Sequence, residues 1–227
     1  MARSPHSFLL EQLRAQADAV AARRVQQLKL SREVVDRIDQ RMHLVFQYFD
    51  EACRLLQVIT PPVDRHFELA HIARYEGLHV ERASVMFRKQ RLQDHDVYDY
   101  VVVYYNLAGP TPPPLRVGIR RSPEVERALV RANIEFSCDT DSTVRGTKSY
   151  NVIRIAPGLR CEVRFDPDFE NGRIVVTLRN VDRFEPVILD FETAALDTKA
   201  LDELVNFMLA QPRQFLLRAP LRGFSPR

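Results

Sequence analysis

Five arginines in the middle of the chain have the spacing of side chains that share one face of a β-sheet. They are Arg154, Arg160, Arg164, Arg173 and Arg179. Because guanidinium groups match the geometry of phosphate oxygens, these residues predict a surface that binds nucleic acid or another polyanion. The competing interpretation is an ordinary solvated face, on which acidic residues between positions 162 and 170 balance the arginines.

Three tyrosines occupy alternate positions of the most apolar predicted strand, residues 97–107. Tyr98, Tyr100 and Tyr104 are expected on a common face with Val102 between them, because side chains alternate along a strand. Aromatic side chains on a strand can stack unpaired bases. They also pack against β-branched neighbours across strands, and this structural role is the commoner one for such a pattern.

The histidines do not have the spacing of a metal site. His66 and His71 are five residues apart, which separates them onto different faces of a helix or a strand. The sequence also contains no Walker loop, dinucleotide fingerprint, nucleophile elbow or paired-cysteine zinc motif. We therefore assign no catalytic residue, no metal and no cofactor. Enzymatic activity stays open, since residues distant in sequence can form a site, but the sequence favours a protein that is not an enzyme.

The composition is that of an ordinary globular protein. Of the 227 residues, 45% are hydrophobic, and 33 basic residues against 30 acidic ones give a net charge of +3. So small a net charge does not force binding to polyanions. The three widely spaced cysteines are expected to be small buried residues in a reducing compartment. Without a signal-peptide core or an apolar run of roughly 18 residues, the sequence predicts a cytoplasmic protein without a membrane partner.

The clearest periodic pattern is a helix between residues 31 and 60, which ends at two consecutive prolines. Apolar residues recur along it at alternating steps of three and four. We expect an interaction seam at Val35, Ile38, Met42, Val45, Phe49 and Leu56. Charged residues occupy the other faces, so either a partner or the protein's own sheet must cover the seam.

An amino-terminal apolar row continues the helical period upstream, at Leu10, Leu13, Ala17, Val20 and Ala21, and Val25 and Leu28 follow after a phase shift near Arg23-Arg24. Ser31 could cap a separate helix and fold the segment into a helical hairpin, or it could lie inside one helix of about fifty residues. A continuous helix of that length would extend about 75 Å, at roughly 1.5 Å per residue, and would need a partner. Both arrangements are compatible with the sequence.

The rest of the chain predicts an α+β fold. Strand-like segments from residue 83 onward are joined by turn sequences, including Pro157-Gly158, and a capped helix begins near Thr198. This order is typical of an antiparallel β-sheet domain that a C-terminal helix closes. The predicted organisation is a helical, coiled-coil segment over residues 1–60 and an α+β antiparallel-sheet domain over residues 63–227.

Three functions are compatible with these patterns. The leading prediction is a non-enzymatic assembly or scaffold protein, which forms a homo-oligomer or binds a protein partner through its N-terminal helices. The alternative is nucleic-acid or other polyanion binding through the arginine-rich sheet face. A further alternative is an apolar small-ligand carrier, with a pocket between the sheet and the final helix around Leu204 and Met208.

Overall fold

A computed structural model describes residues 8–92, 94–141, 150–211 and 214–222. The helices are α1 (Phe8–Ile59), α2 (Ser122–Arg131) and α3 (Thr198–Met208). The strands are β1 (Pro62–Val63), β2 (Phe67–Leu69), β3 (Ala73–Tyr75), β4 (Leu78–Leu92), β5 (His95–Ala108), β6 (Leu115–Gly118), β7 (Phe136–Asp141), β8 (Tyr150–Ile155), β9 (Gly158–Asp168), β10 (Arg173–Arg179) and β11 (Val187–Glu192). An N-terminal helix, a large curled antiparallel sheet and a C-terminal helix together confirm the predicted mixture of helix and sheet.

The main sheet has six strands in the order β1-β4-β5-β9-β10-β11, and every neighbouring pair is antiparallel. Its two faces are chemically different. On β9, Val163 and Phe165 are fully buried, whereas Arg160 and Arg164 reach solvent on the opposite side. We call the face of Val163 the inner face and the face of Arg164 the outer face.

Helix α1 packs against the inner face, where it contacts β4, β5 and β9. The rings of Phe49 on α1 and Phe165 on β9 are 5.8 Å apart between centroids. Apolar side chains of the helix and of the sheet belong to one hydrophobic core. The backbone is helical over Phe8–Ile59, which includes Ser31.

Helix α3 contacts α1, and its buried side chains belong to the same hydrophobic core. The Tyr48 hydroxyl of α1 donates a hydrogen bond of 2.6 Å to Asp202 Oδ1 of α3. Asp197 caps the start of α3, because its Oδ1 atom accepts a hydrogen bond of 2.8 Å from the backbone N–H of Ala200. Leu204 on α3 is completely buried.

A second sheet of three strands has the order β6-β8-β7. The predicted turn at Pro157-Gly158 connects β8 to β9, but these two strands do not pair, because β8 pairs with β6 and β7, while β9 pairs with β5 and β10. Gly158 has another role. A Cβ atom at this position would clash with the carbonyl oxygen of Leu107, so the glycine permits the close approach of β9 to β5.

Candidate functional site

The seam residues predicted on α1 lie in the core of the chain. Ile38, Met42, Val45 and Phe49 have no solvent exposure, and Leu56 is buried. Val35, at the amino-terminal end of the seam, is half-buried. Of the two coverings that the sequence allowed, a partner or the protein's own sheet, the sheet is the one found in this structure.

The seam ends where α1 passes the tip of the β4–β5 hairpin. The strands pair up to Leu92 and His95, which flank the hairpin turn. The Nη2 atom of Arg32 lies 2.8 Å from the Nε2 atom of this histidine. Two residues after Arg32, Val34 packs against the core. About two turns after Arg32, Asp39 Oδ1 accepts a hydrogen bond of 2.7 Å from the backbone N–H of Tyr98.

Residues 8–31 of α1 extend past that tip. In this segment the side chains of Gln12, Gln16, Ala17 and Asp18 are described, and all four are exposed. Ala17 belongs to the amino-terminal apolar row, so an apolar position of this row faces solvent.

Four of the five predicted arginines do share the outer face of the main sheet. They are Arg160 and Arg164 on β9 and Arg173 and Arg179 on β10, and the register of these two antiparallel strands brings them together. Arg154 is the exception. It lies on β8 in the second sheet, since β8 does not pair with β9, and it forms an ion pair with Asp139.

Carboxylates neutralise most of this arginine group. Arg164 Nε donates to both Asp166 oxygens at 2.9 Å, and Arg173 Nε donates to Asp190 Oδ1 at 2.8 Å. Arg179 Nε lies 3.9 Å from Glu162 Oε1. Alternating charges across three strands therefore form a nearly balanced surface, which has little of the long-range attraction that a polyanion site needs.

Tyrosines and arginines alternate on the same face. The Tyr100 ring lies between two guanidinium groups, with the Arg164 Cζ atom 4.1 Å and the Arg88 Cζ atom 5.1 Å from its centroid. Tyr98 does not share this face. Arg88 and Lys89 of β4 pair with Tyr100 and Tyr98 of β5, so Asp99 has no partner in the pairing, and Tyr98 points to the side opposite Tyr100. Tyr98 is instead buried under α1, where its hydroxyl lies 3.0 Å from His43 Nδ1.

A cleft with a volume of about 690 Å³ opens between the outer face and the segments that flank the second sheet. Arg82 of β4, Asn106 of β5 and Arg160 of β9 line its floor. Glu135 lines the opposite side. The guanidinium of Arg160 lies over the Tyr104 ring, 4.6 Å from its centroid, which fixes its position at the edge of the cleft.

A charged pair lies in the interior, next to α3. The side chains of Arg65 and Asp182 are 9% and 3% exposed, and Arg65 Nε lies 3.7 Å from Asp182 Oδ1. The guanidinium also lies over the Phe207 ring at 4.9 Å and donates to the carbonyl oxygen of Val181. These contacts join the chain after β1 to the loop that precedes β11.

Two of the three cysteines are buried as predicted. Burial raises the pKa of the Cys53 and Cys161 thiols to about 12, so both are un-ionised packing groups near neutral pH. Cys161 donates a hydrogen bond of 2.9 Å to the carbonyl oxygen of Asn180. Cys138 differs from the prediction, because it is exposed on β7 and lies 3.7 Å from Glu126 Oε1.

Sequence reasoning missed the two residues that complete the cleft, Arg82 and Asn106. On β4, the next buried side chain after Val80 is Ala83, three residues further along instead of two. The reason is a register shift between Val80 and Arg82. Simple alternation from the start of the strand therefore assigns Arg82 to the wrong face. A break in the apolar alternation is the signal that could have located it.

Among the described residues, no three His, Cys, Asp or Glu side chains are grouped closely enough to hold a metal ion. Within the same part of the chain, no helix is both long and apolar enough to cross a membrane. Comparison with protein-family models, with curated proteins and with solved structures finds no match. We therefore infer the function from the geometry of the chain itself.

Proposed function

We propose that this chain is an assembly module, in which residues 8–31 of α1 pair with the same residues of a second copy. The observation that carries the proposal is the continuation of α1 beyond the tip of the β4–β5 hairpin, where Arg32 meets His95. At roughly 1.5 Å per residue, this extension is about 36 Å long. The two copies would form a homodimer without any catalytic function.

An amphipathic helix of this length needs a second surface. A single helix that leaves a domain is only marginally stable in water, because most helical stability comes from packing an apolar stripe. Leu10, Leu13, Ala17 and Val20 supply such a stripe, and Ala17 is exposed. Pairing with a second copy would bury the stripe and stabilise the helix.

The distribution of charge favours an antiparallel second copy. Residues 8–19 contain two acids and one base, for a net charge of −1, whereas residues 20–31 contain three bases and no acid, for +3. Parallel pairing would align the two basic halves and bring Arg24 against its own copy. Antiparallel pairing brings halves of opposite charge together, with Leu13 opposite Leu28 and Arg24 opposite Ala17.

The proposed dimer has a simple consequence for the sheets. An antiparallel overlap of residues 10–31 ends where each helix enters its own sheet, so the two sheets would lie at opposite ends, roughly 33 Å apart. Each sheet would keep its outer face free. The module would then hold two identical surfaces at a defined separation, as a scaffold does.

The two other predicted functions have weaker support. Three of the arginines on the outer face, Arg164, Arg173 and Arg179, have carboxylate partners, which reduces their attraction for polyanions. Leu204 and Met208 are buried in the hydrophobic core, which favours a packing role over the lining of an apolar ligand pocket. Self-association through α1 is therefore the function that we favour.

The test compares two double substitutions in the full chain. Leu13→Glu with Val20→Glu introduces two charges into the apolar row. Gln12→Glu with Ala19→Glu introduces the same charges at the same spacing, about 100° around the helix from the first pair. Light scattering coupled to size exclusion should give twice the 26.3 kDa chain mass for the unmodified protein and for the control, and the chain mass for the first variant.

Thermal unfolding of both variants, monitored by circular dichroism, tests whether either double substitution destabilises the sheet domain. Because residues 8–31 lie beyond the sheet, both variants should retain the unfolding midpoint of the sheet domain. A monomeric unmodified protein at micromolar concentration would refute the proposal. A first variant that stays dimeric would also refute it.

A further inference from the structure

Three polar side chains lie side by side on the outer face, on three neighbouring strands. The register pairs Arg82 of β4 with Asn106 of β5, and Asn106 with Arg160 of β9. With neighbouring strands about 4.8 Å apart, the Cα atoms of the two arginines are about 10 Å apart, with the asparagine between them. A tetrahedral oxyanion above Asn106 could accept hydrogen bonds from both guanidinium groups and from the amide.

The two arginines of this row differ from the other arginines of the outer face. Arg88, like the β10 arginines, has a carboxylate partner, since its guanidinium pairs with Asp99. Among the described residues, no carboxylate forms an ion pair with Arg82 or Arg160. Both are exposed to the cleft, so their hydrogen-bond donors are available to a ligand.

The cleft above this row has the size and the chemistry of a ligand site. Its volume of about 690 Å³ is within the range of about 300–1,000 Å³ that is usual for small-molecule sites. Ser84 and Tyr104 also line it and add hydroxyl groups to its floor. Met86, which is 54% exposed, adds apolar surface beside them.

Two carboxylates restrict the kind of anion that fits. Glu81 and Glu135 line the same cleft, so its charged side chains are two arginines and two glutamates. An extended polyanion would bring further phosphates close to these carboxylates, which costs free energy. A molecule with a single phosphate and several hydroxyl groups avoids this cost, because hydroxyl groups can donate hydrogen bonds to the glutamates.

We propose that the cleft binds a small phosphomonoester, with Arg82 and Arg160 holding its phosphate group and Asn106 donating a hydrogen bond between them. The cation–π contact with Tyr104 holds the Arg160 guanidinium in place before a ligand arrives, which reduces the entropy lost on binding. Glu81 and Glu135 contact the hydroxyl-bearing part of the molecule. This site is independent of the α1 extension and does not require a dimer.

The test measures binding of adenosine monophosphate to the full chain by titration calorimetry, with adenosine as the probe that lacks the phosphate. Binding of the monophosphate should exceed that of adenosine, and Arg82→Gln or Arg160→Gln should weaken it about tenfold or more, because each removes charge-assisted hydrogen bonds. Arg88→Gln is the matched control. It removes the same charge from the same face, about 20 Å along the strand, and should change the affinity by less than about twofold.

Three results would overturn the proposal. One is equal binding of adenosine and its monophosphate, or no measurable binding of the monophosphate at millimolar concentration. Another is a loss of affinity in Arg88→Gln as large as in Arg82→Gln, which would indicate general electrostatic attraction. The last is tight binding of a single-stranded oligonucleotide that depends on the same arginines, with no binding of the monophosphate, which would make the cleft part of a polyanion surface.

Discussion

The Nη2 atom of Arg32 lies 2.8 Å from the Nε2 atom of His95, and this contact divides α1 into two parts with different surroundings. On the carboxyl side of the contact, residues such as Phe49 are completely buried by the sheet. On the amino side, Ala17 is exposed. One part of the helix therefore belongs to the core, and the other part extends beyond the sheet. Substitutions in the first part should change the stability of the fold, and substitutions in the second part should change self-association.

Removal of a seam side chain should destabilise the monomer. Phe49→Ala should lower the free energy of unfolding by about 3–5 kcal/mol, because it empties a fully buried site that contacts Phe165. Leu55→Ala, six residues further along the helix, removes a side chain that is 53% exposed and should cost less than about 0.5 kcal/mol. Urea denaturation measures both changes, and similar losses in the two variants would contradict the burial of the seam.

The orientation of the proposed dimer can be tested by cross-linking. In a Cys138→Ser background, which removes the exposed native thiol, one sample has Leu13→Cys and another has Leu28→Cys. An antiparallel pair brings these positions together, so a disulfide-linked dimer should form efficiently only when the two samples are mixed. Efficient cross-linking of the Leu13→Cys sample alone would indicate parallel pairing instead. Non-reducing electrophoresis distinguishes the two results.

The interior charged pair predicts unequal effects for two arginines that contact the same carboxylate. Arg65→Met should destabilise the protein by about 3–5 kcal/mol, because Asp182 would lose a buried cationic neighbour. Arg183 also contacts Asp182, at 2.8 Å, but its side chain is 40% exposed. Arg183→Met should cost no more than about 1 kcal/mol. Chemical denaturation measures the unfolding free energy of both variants. An equal loss in the two variants would contradict a larger contribution from the buried contact.

Stability in acid should depend on Glu203. Arg218 donates two hydrogen bonds to this carboxylate, one of them from Nη2 to Oε1 at 2.6 Å, and they lower the pKa of Glu203 below its ordinary value. A group with a lowered folded-state pKa stabilises the protein fully above its unfolded-state pKa, about 4.3 for glutamate. That contribution is lost as the pH falls through the lower folded-state pKa.

Glu203→Gln should therefore lower Tm near neutral pH and have a progressively smaller effect below about pH 4.3. Glu185→Gln is the control, because Glu185 is exposed and shares the same change in charge. A series of thermal unfolding curves from neutral to acid pH measures the difference between the two variants. A difference that does not diminish in acid would contradict a role for the Glu203 carboxylate charge.

Local periodicity predicted which residues are buried, but not what buries them. The three-and-four spacing of Ile38, Met42 and Val45 marks a buried helical stripe in any environment, so it could not distinguish a partner from the protein's own sheet. Alternation similarly predicted the shared face of Arg160 and Arg164. These predictions hold because helix and strand periods are properties of the local backbone.

Predictions failed where they required pairing between distant strands. Arg154 was assigned to the arginine face because β8 and β9 are consecutive, yet these strands do not pair. Tyr98 was assigned to the wrong face because the register skips Asp99. The Arg82–Asn106–Arg160 row brings together three strands whose residues are far apart in sequence, and no local pattern contains that information.

Phe49 and Phe165 contact each other in the folded chain but are added at different times during protein synthesis. At about 5–20 residues per second, the ribosome adds Phe165 roughly 6–23 s after Phe49. Until β9 is made, Phe49 lacks this contact, although β4 and β5, which also pack against α1, are complete earlier. For that interval, part of the apolar side of α1 is open to chaperones and to misassembly.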